Sequence, residues 1–225
     1  PEGGIVDAFL AIGSQNLFMS IDGGNAYRST NGGNSWSSIS SIYGYPYAFG
    51  VSSAGHVYAG GAFGISRSTD GGATWSSAGI IPPSTGVVHS LCVDSSGRMF
   101  AGTYFNGGVF RSTDGGTSWA QVGLTTATYV WDIAATKSGA VFAATNVGAF
   151  RSTDGGLTWL PVNNGLTSLD VRAIATNSSL SLVFAATSGG GVFRSDDGGN
   201  TWTPKSTGLT VNAVSNLTVG SSSQL

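Results

Sequence analysis

The sequence predicts an all-β chain of short antiparallel strands. Three observations carry that reading: abundant glycine, a near-absence of helix-favouring charged residues, and an internal repeat. Of 225 residues 36 are glycine and only 9% are charged, against roughly a quarter in an average domain. The chain has one glutamate, Glu2, and two lysines, Lys137 and Lys205, so the charged residues that favour helices are almost missing. Apolar residues at 40% and aromatics at 11% are enough for a packed core.

The repeat sets the organisation. Five segments nearly copy one another: Arg28-Ser-Thr-Asn-Gly-Gly-Asn-Ser-Trp36, Arg67-Ser-Thr-Asp-Gly-Gly-Ala-Thr-Trp75, Arg111-Ser-Thr-Asp-Gly-Gly-Thr-Ser-Trp119, Arg151-Ser-Thr-Asp-Gly-Gly-Leu-Thr-Trp159 and Arg194-Ser-Asp-Asp-Gly-Gly-Asn-Thr-Trp202. Their tryptophans are 39, 44, 40 and 43 residues apart. Each unit begins with an alternating run such as Val130-Trp-Asp-Ile-Ala-Ala135, then a short turn such as Lys137-Ser-Gly139. A small-residue strand follows (Val57-Tyr-Ala-Gly60, Met99-Phe-Ala-Gly102, Val141-Phe-Ala-Ala144, Val183-Phe-Ala-Ala186). A glycine-rich loop leads to a third strand such as Gly108-Val-Phe-Arg-Ser112, and the Asp-Gly-Gly turn and Thr/Ser-Trp strand end the unit. Four short strands per ~40 residues are the pattern of a β-propeller blade. Alanine and glycine in the second strand suit close approach of neighbouring blades. The reading is one propeller domain over residues 1–217, with repeats at about 5–44, 45–86, 87–128, 129–169 and 170–210. One extra strand at 211–217 and a polar tail at 218–225 complete it.

The Ser-x-Asp-x-Gly-x-Thr-Trp pattern resembles the Asp-box (BNR) repeat of a β-propeller family. That family includes sialidases, sortilin-like sorting receptors, xyloglucan-cleaving enzymes and photosystem assembly factors. The resemblance runs through essentially the whole chain. It implies that the boxes are structural and lie on the face away from the ligand site. Physically, Asp70, Asp114, Asp154 and Asp197, with Asn31 in the first unit, accept backbone N–H bonds within their own turns. The second glycine (Gly33, Gly72, Gly116, Gly156, Gly199) supplies a positive φ. Trp36, Trp75, Trp119, Trp159 and Trp202 cover the hairpins. Calcium binding is set aside because each turn offers one carboxylate where Ca²⁺ takes six to eight oxygens. The recurring Arg28, Arg67, Arg111, Arg151 and Arg194 read as blade-edge packing or ion pairs with a neighbouring turn. Cys92 reads as an inert core thiol and His56 as a solvated turn residue.

The position that breaks the repetition is the informative one. Aligned on the second-strand aromatics, the first strands place Phe9, Phe49, Leu91, Ile133, Ile174 and Val214 in register. Two positions earlier the series is Asp7, Tyr47, His89, Trp131, Arg172 and Asn212. One slot therefore holds an acid, a phenol, an imidazole, an indole, a guanidinium and an amide. In the topology the family implies, these residues ring the mouth of the central channel. Loops between second and third strands share that face, including Asp22-Gly-Gly-Asn25 and the rim residues Phe63, Tyr104, Phe105 and Asn106. Aromatic groups with scattered polar ones suit sugars or protein loops.

Composition and inventory bound the function. Net charge of −2 gives no electrostatic footprint for nucleic acid, and no apolar run approaches membrane-spanning length. The sialidases of the family use an arginine triad and a tyrosine–glutamate pair. Outside the boxes the arginines here are Arg98 and Arg172, and the glutamate is terminal, so sialidase chemistry is rejected. Glycosidases need two facing carboxyl groups. Asp7, Asp22 and Asp170 are placed to reach the rim, whereas Asp132 is expected on the strand face opposite Trp131. No Gly-x-Ser-x-Gly, HExxH or Walker pattern occurs, and two histidines make a zinc site unsupported. No catalytic residue, metal or cofactor is assigned.

The expected role is non-catalytic recognition or scaffolding, with a protein partner or a glycan at the channel mouth. The competing reading is a module of a glycan-active enzyme, and a convergent carboxylate pair at the mouth separates the two. A photosystem-factor role lacks its basic patch. Sparse charge and Ser/Thr/Gly richness favour a secreted, periplasmic or surface location, the chain reading as mature or trimmed. An unclosed propeller edge allows a homo-oligomer. The sequons at Asn177 and Asn216 read as chance matches.

Overall fold

A computed structural model describes residues 5–21, 24–42, 44–79, 81, 86–105, 107–127, 129–177 and 182–219. Glu2, Asp22, Asn106 and residues 220–225 of the expected tail lie outside the described residues. The fold is all-β, with five four-stranded sheets and, among the described residues, no helix.

Blade 1 holds β1 (Val6–Ile12), β2 (Asn16–Ile21), β3 (Asn25–Ser29) and β4 (Ser37–Ile39). Blade 2 holds β5 (Pro46–Val51), β6 (Val57–Gly61), β7 (Gly64–Ser68) and β8 (Ser76–Ser77). Blade 3 holds β9 (Val87–Val93), β10 (Met99–Tyr104), β11 (Val109–Ser112) and β12 (Ala120–Gly123). Blade 4 holds β13 (Val130–Ala135), β14 (Val141–Thr145), β15 (Gly148–Ser152) and β16 (Leu160–Pro161). Blade 5 holds β17 (Val171–Thr176), β18 (Val183–Thr187), β19 (Gly191–Ser195) and β20 (Thr203–Pro204). Every sheet is an antiparallel meander in chain order. Innermost strands of successive blades lie side by side, β1 by β5, β5 by β9, β9 by β13 and β13 by β17. No ladder closes the arc into a ring among the described residues.

The Asp-Gly-Gly turns are built as small hydrogen-bonded knots. In blade 2 the Ser68 hydroxyl donates to Asp70 Oδ1 at 2.7 Å and accepts from the Gly72 N–H at 2.7 Å. Asp70 also accepts from the Thr74 N–H at 2.9 Å and the Thr74 hydroxyl at 2.6 Å. The same hydroxyl contact of 2.6 Å recurs at Asp114, Asp154 and Asp197. That hydroxyl, four residues on, is the main reason all four carboxyls titrate well below the usual range. Asn31 substitutes through its carbonyl, which accepts from Ser29 Oγ and the Ser35 N–H at 2.9 Å each. Both glycines of each pair, not only the second, take positive φ, Gly71 at 68° and Gly72 at 92°.

The turns also join one blade to the next. A Cβ on Gly72 would lie 2.4 Å from Phe18 of blade 1, and one on Gly156 would lie 2.5 Å from Phe100 of blade 3. Gly199 stands in the same relation to Phe142. The recurring arginine reaches forward to the first glycine carbonyl of the next turn: Arg67 to Gly115 at 3.3 Å, Arg111 to Gly155 at 3.0 Å, Arg151 to Gly198 at 2.6 Å. In blade 1, Asn16 makes that bond to Gly71 at 3.1 Å while accepting from Arg28. Arg194 instead pairs with Asp196 in its own turn. Tryptophans span the seam as well: the Trp119 indole donates to the Ala78 carbonyl at 3.0 Å and that of Trp202 to Val162 at 2.7 Å. Small second-strand residues serve the same seam, since a Cβ on Gly60 would meet Val88 at 2.4 Å and one on Gly102 would meet Val130 at 2.6 Å. The core is therefore a chain of inter-blade layers rather than one central cluster, with Phe18, Phe100, Phe110, Phe142 and Phe193 fully buried.

Residues 211–217, expected as a sixth first strand, form one isolated bridge, Ser188↔Ala213, with the Val214 N–H donating to Thr187 at 3.2 Å. Blade 4 enters by the same step, through a Tyr104↔Tyr129 bridge to blade 3. The segment thus sits where a sixth blade begins.

Candidate functional site at the channel mouth

Each innermost strand carries an irregularity at one place. Ladder register shifts between Val6 and Ala8, Pro46 and Ala48, Val130 and Asp132, and Val171 and Ala173. In blade 3 Gly102 pairs with Ser90 while Thr103 pairs with Val88. The residue left over is Asp7, Tyr47, His89, Trp131 or Arg172. Every one is the extra residue of a β-bulge, which releases its side chain from the alternation and re-aims it.

These five line a single cavity of about 380 Å³, together with Ser215 and Asn216. Asn212 does not line it. Its carbonyl accepts from the Gly189 and Gly191 N–H groups at 3.0 and 2.8 Å, fixing it beside the β18–β19 loop. Matching the two bridges, Tyr129 with Ala213, makes Ser215 the counterpart of Trp131 and Asn216 that of Asp132. The spacing from the preceding tryptophan carried this signal: the slot follows it by 11 to 14 residues in blades 2–5, by 13 for Ser215 and by only 10 for Asn212. A second correction concerns Asp132. It lines the same cavity as Trp131 rather than the opposite face, because the bulge puts both on one side.

One side of the mouth, on blades 2–4, is aromatic. Tyr47 and His89 stack at 6.3 Å, and His89 stacks on Tyr104 at 5.9 Å. Trp131 lies 5.6 Å from His89, 5.3 Å from Tyr104 and 5.0 Å from Tyr129. Phe105 stands edge-on to Tyr104 at 4.3 Å, and Phe63 tilts against Tyr45 at 6.4 Å. Phe63 and Phe105 are half exposed, at 56% and 51%. Phe105 also has φ of 64°, an uncommon conformation for a bulky residue and one that costs free energy. His89 Nδ1 lies 3.1 Å from the Trp131 carbonyl; a carbonyl only accepts, so Nδ1 carries the proton and Nε2 faces away from that bond.

The other side, on blades 1 and 5 and the 213–219 segment, is mixed, with exposed Val6 and Phe9 of blade 1 beside charged and polar groups. Arg172 lays its guanidinium over Trp131, 4.1 Å from the ring centroid, and Nη2 donates to Asp170 at 2.7 Å. Tyr45 and Tyr129 were not singled out from sequence, and Asp170 was expected only as an acid placed to reach the rim. They share the position two residues before the slot, which varies as Ile5, Tyr45, Val87, Tyr129 and Asp170. That variation was the available signal.

Asp132 accepts from the Ile133 N–H at 2.8 Å and, through its other oxygen, from the Ile174 N–H of the next blade at 3.0 Å. Burial pushes its carboxyl up to about 6 despite these bonds. A group protonated more readily when folded stabilises the fold below its unfolded value near 4 and loses that contribution as pH rises through 6. The turn acids act in the opposite sense, losing theirs as pH falls below about 4. Thermal melts are therefore expected to show a higher Tm at pH 5 than at pH 7, with Asp132 contributing on the order of 1 kcal/mol over that window. Asp132→Asn should flatten that limb while leaving the acid limb intact. An unchanged pH 5 to 7 difference in the variant defeats the assignment. Cys92, half-buried, has its thiol pushed up to about 12 by desolvation and stays inert.

Five four-stranded meanders arranged about a common mouth define a β-propeller. No protein-family model and no curated protein matches the chain by sequence. Among solved structures the chain is similar to an ancestral GH74 enzyme, with 21% identity and a TM-score of 0.78 over 94% of this chain and 32% of that one. It is similar to YCF48 bound to D1 peptide, with 22% identity and a TM-score of 0.65 over 88% and 66%. The extracellular domain of a one-component system from B. thetaiotaomicron matches at 15% identity and a TM-score of 0.70, over 87% and 28%. The chain spans about a third of the GH74 enzyme's length. These likenesses support the propeller fold.

Proposed function

We propose that this chain is a recognition propeller of the Asp-box type that holds a segment of a protein partner, or alternatively a glycan, across its channel mouth without chemical change. One observation carries the reading: five bulge residues from five successive first strands, and Ser215 from the segment that follows blade 5, meet at one cavity bordered by exposed aromatic rings. A polypeptide is favoured over a sugar by the rings themselves. Trp131 has a face occupied by Arg172, and Phe105 and Tyr104 stand perpendicular, so these three rings present no flat platform. The similar YCF48 structure holds a peptide, which supports the same preference. Similarity to the extracellular domain of a one-component system supports an extracellular or periplasmic setting, and no helix among the described residues is long and apolar enough to cross a membrane.

The enzyme-module reading has one observation in its favour: Asp7 and Asp132 line the same cavity. Both oxygens of Asp132 are, however, engaged by backbone N–H groups of two blades. The carboxyl therefore acts as an inter-blade tie, whereas a general acid needs a proton directed at substrate. The test is peptide-array and glycan-array binding of wild type against a Tyr104→Ala, Phe105→Ala double variant. Ligands captured by wild type should lose at least ~10-fold in the variant. Unchanged capture removes the rim site, and release of reducing ends from xyloglucan by the wild type establishes the enzyme reading instead.

A further inference from the structure

We propose that the space between blade 1 and the 213–219 segment accepts a β-strand from a partner polypeptide, patterned aromatic-Ala-Ala or aromatic-Ala-Gly. This surface is distinct from the mouth, and the inference stands independently of the reading above.

The seams between blades define what such a strand must contact. At each seam a second-strand aromatic lies under the turn of the next blade, as Phe18 does at Gly72, Phe100 at Gly156 and Phe142 at Gly199. Two positions on, small residues receive valines of the next first strand. Gly60 receives Val88, Gly102 receives Val130, and Ala144 shares a buried cluster with Val171. Those three valines are fully buried. Blade 1 offers the same receiving groups with no blade against them. Val6, the counterpart of these valines, is 52% exposed, and Phe9 beyond it is 56% exposed. Gly33 is half-buried where its four counterparts are buried, and among the described residues a Cβ on it would approach only Leu17 and Trp36 of its own blade.

The 213–219 segment supplies the backbone side of the same space. Matching Ser215 to Trp131 aligns Asn216, Leu217 and Thr218 with Asp132, Ile133 and Ala134, which pair with Ala144, Ala143 and Phe142. Among the described residues, no backbone hydrogen bond engages 215–219. An unpaired row of this kind is a template for an added strand. Asn216, Leu217 and Thr218 line, together with Phe9, a cavity of about 430 Å³. An incoming strand therefore sets its aromatic opposite Thr218, toward Gly33, and its small residue opposite Asn216, toward Val6. A separate partner is favoured over a second copy, because the strands of this pattern in the chain are already central to intact blades.

The probe is a lysine-tailed peptide copy of residues 140–145, Ala-Val-Phe-Ala-Ala-Thr. The reporter is the indole N–H of Trp36, whose ring lies 6.5 Å from that of Phe9. In ¹⁵N-labelled protein the peptide should shift this resonance and leave that of Trp131 in place. Replacing the peptide's phenylalanine by alanine, or N-methylating alternate amides, should weaken binding at least ~10-fold. Val6→Glu, at an exposed position, should weaken it similarly with Tm unchanged. Equal affinity for a scrambled peptide, no shift at Trp36 with any peptide, or a shift at Trp131 alone overturns the inference. So does dimerisation that moves Trp36 with protein concentration, or binding that begins only after residues 220–225 are deleted. None of these outcomes bears on capture of array ligands at Tyr104 and Phe105, so recognition at the mouth is judged separately.

Discussion

Gly156→Val is expected to cost roughly 3–5 kcal/mol, enough to unfold most molecules at temperatures the wild type tolerates. Two independent penalties add at this site. Its φ of 86° is strained for any side chain, and a Cβ would sit 2.5 Å from a ring carbon of Phe100, itself fully buried. Phe100 has no room to retreat, because it lies inside the layer between blades 3 and 4 with Val130, Ile133 and Val141. Gly97→Ala is the control. Its φ is 79°, but a Cβ there meets nothing within 4 Å, so only the backbone term of about 1 kcal/mol remains. Chemical denaturation of both variants checks the claim, and equal losses would show that the seam contact adds nothing.

Trp131→Ala should weaken any mouth ligand at least ~100-fold, about 3 kcal/mol, the scale of a central aromatic in an interface. Tyr104, Tyr129, His89 and Arg172 all rest on this indole. Truncation therefore disperses the aromatic side and frees the guanidinium together. Trp159→Ala separates stability from binding: Trp159 packs in the blade 3–4 layer, away from the cavity lining. Calorimetry on the two variants should find lost affinity in the first and lowered Tm with near-normal affinity in the second. The reverse pattern would move the site away from the mouth.

The blades were legible because local signals agree with the fold. Spaced tryptophans, paired glycines and small second-strand residues each have one structural use, and the ladders and seams show those uses. Five members of the slot were legible because their chemistry failed to repeat. The sixth was misplaced by three residues because Val211-Asn-Ala-Val and Val214-Ser-Asn-Leu both imitate the start of β17, Val171-Arg-Ala-Ile; the spacing from Trp202 and the bridge to Ser188 separate them. Asp132 was misjudged because strict alternation of side chains was assumed across a strand, and a bulge is not marked by any residue type there. The role of the arginines was half legible. Recurrence pointed to a neighbouring turn, but the carbonyl they reach belongs to the following blade, a distance of 44 to 48 residues in sequence.

Because the bulged residue is surplus to the ladder, its identity is decoupled from blade assembly. Acid, phenol, imidazole, indole and guanidinium already occupy equivalent places over nearly identical sheets. Randomising those positions in a display library should therefore yield mostly folded clones with altered selectivity, which makes the scaffold a source of designed binders.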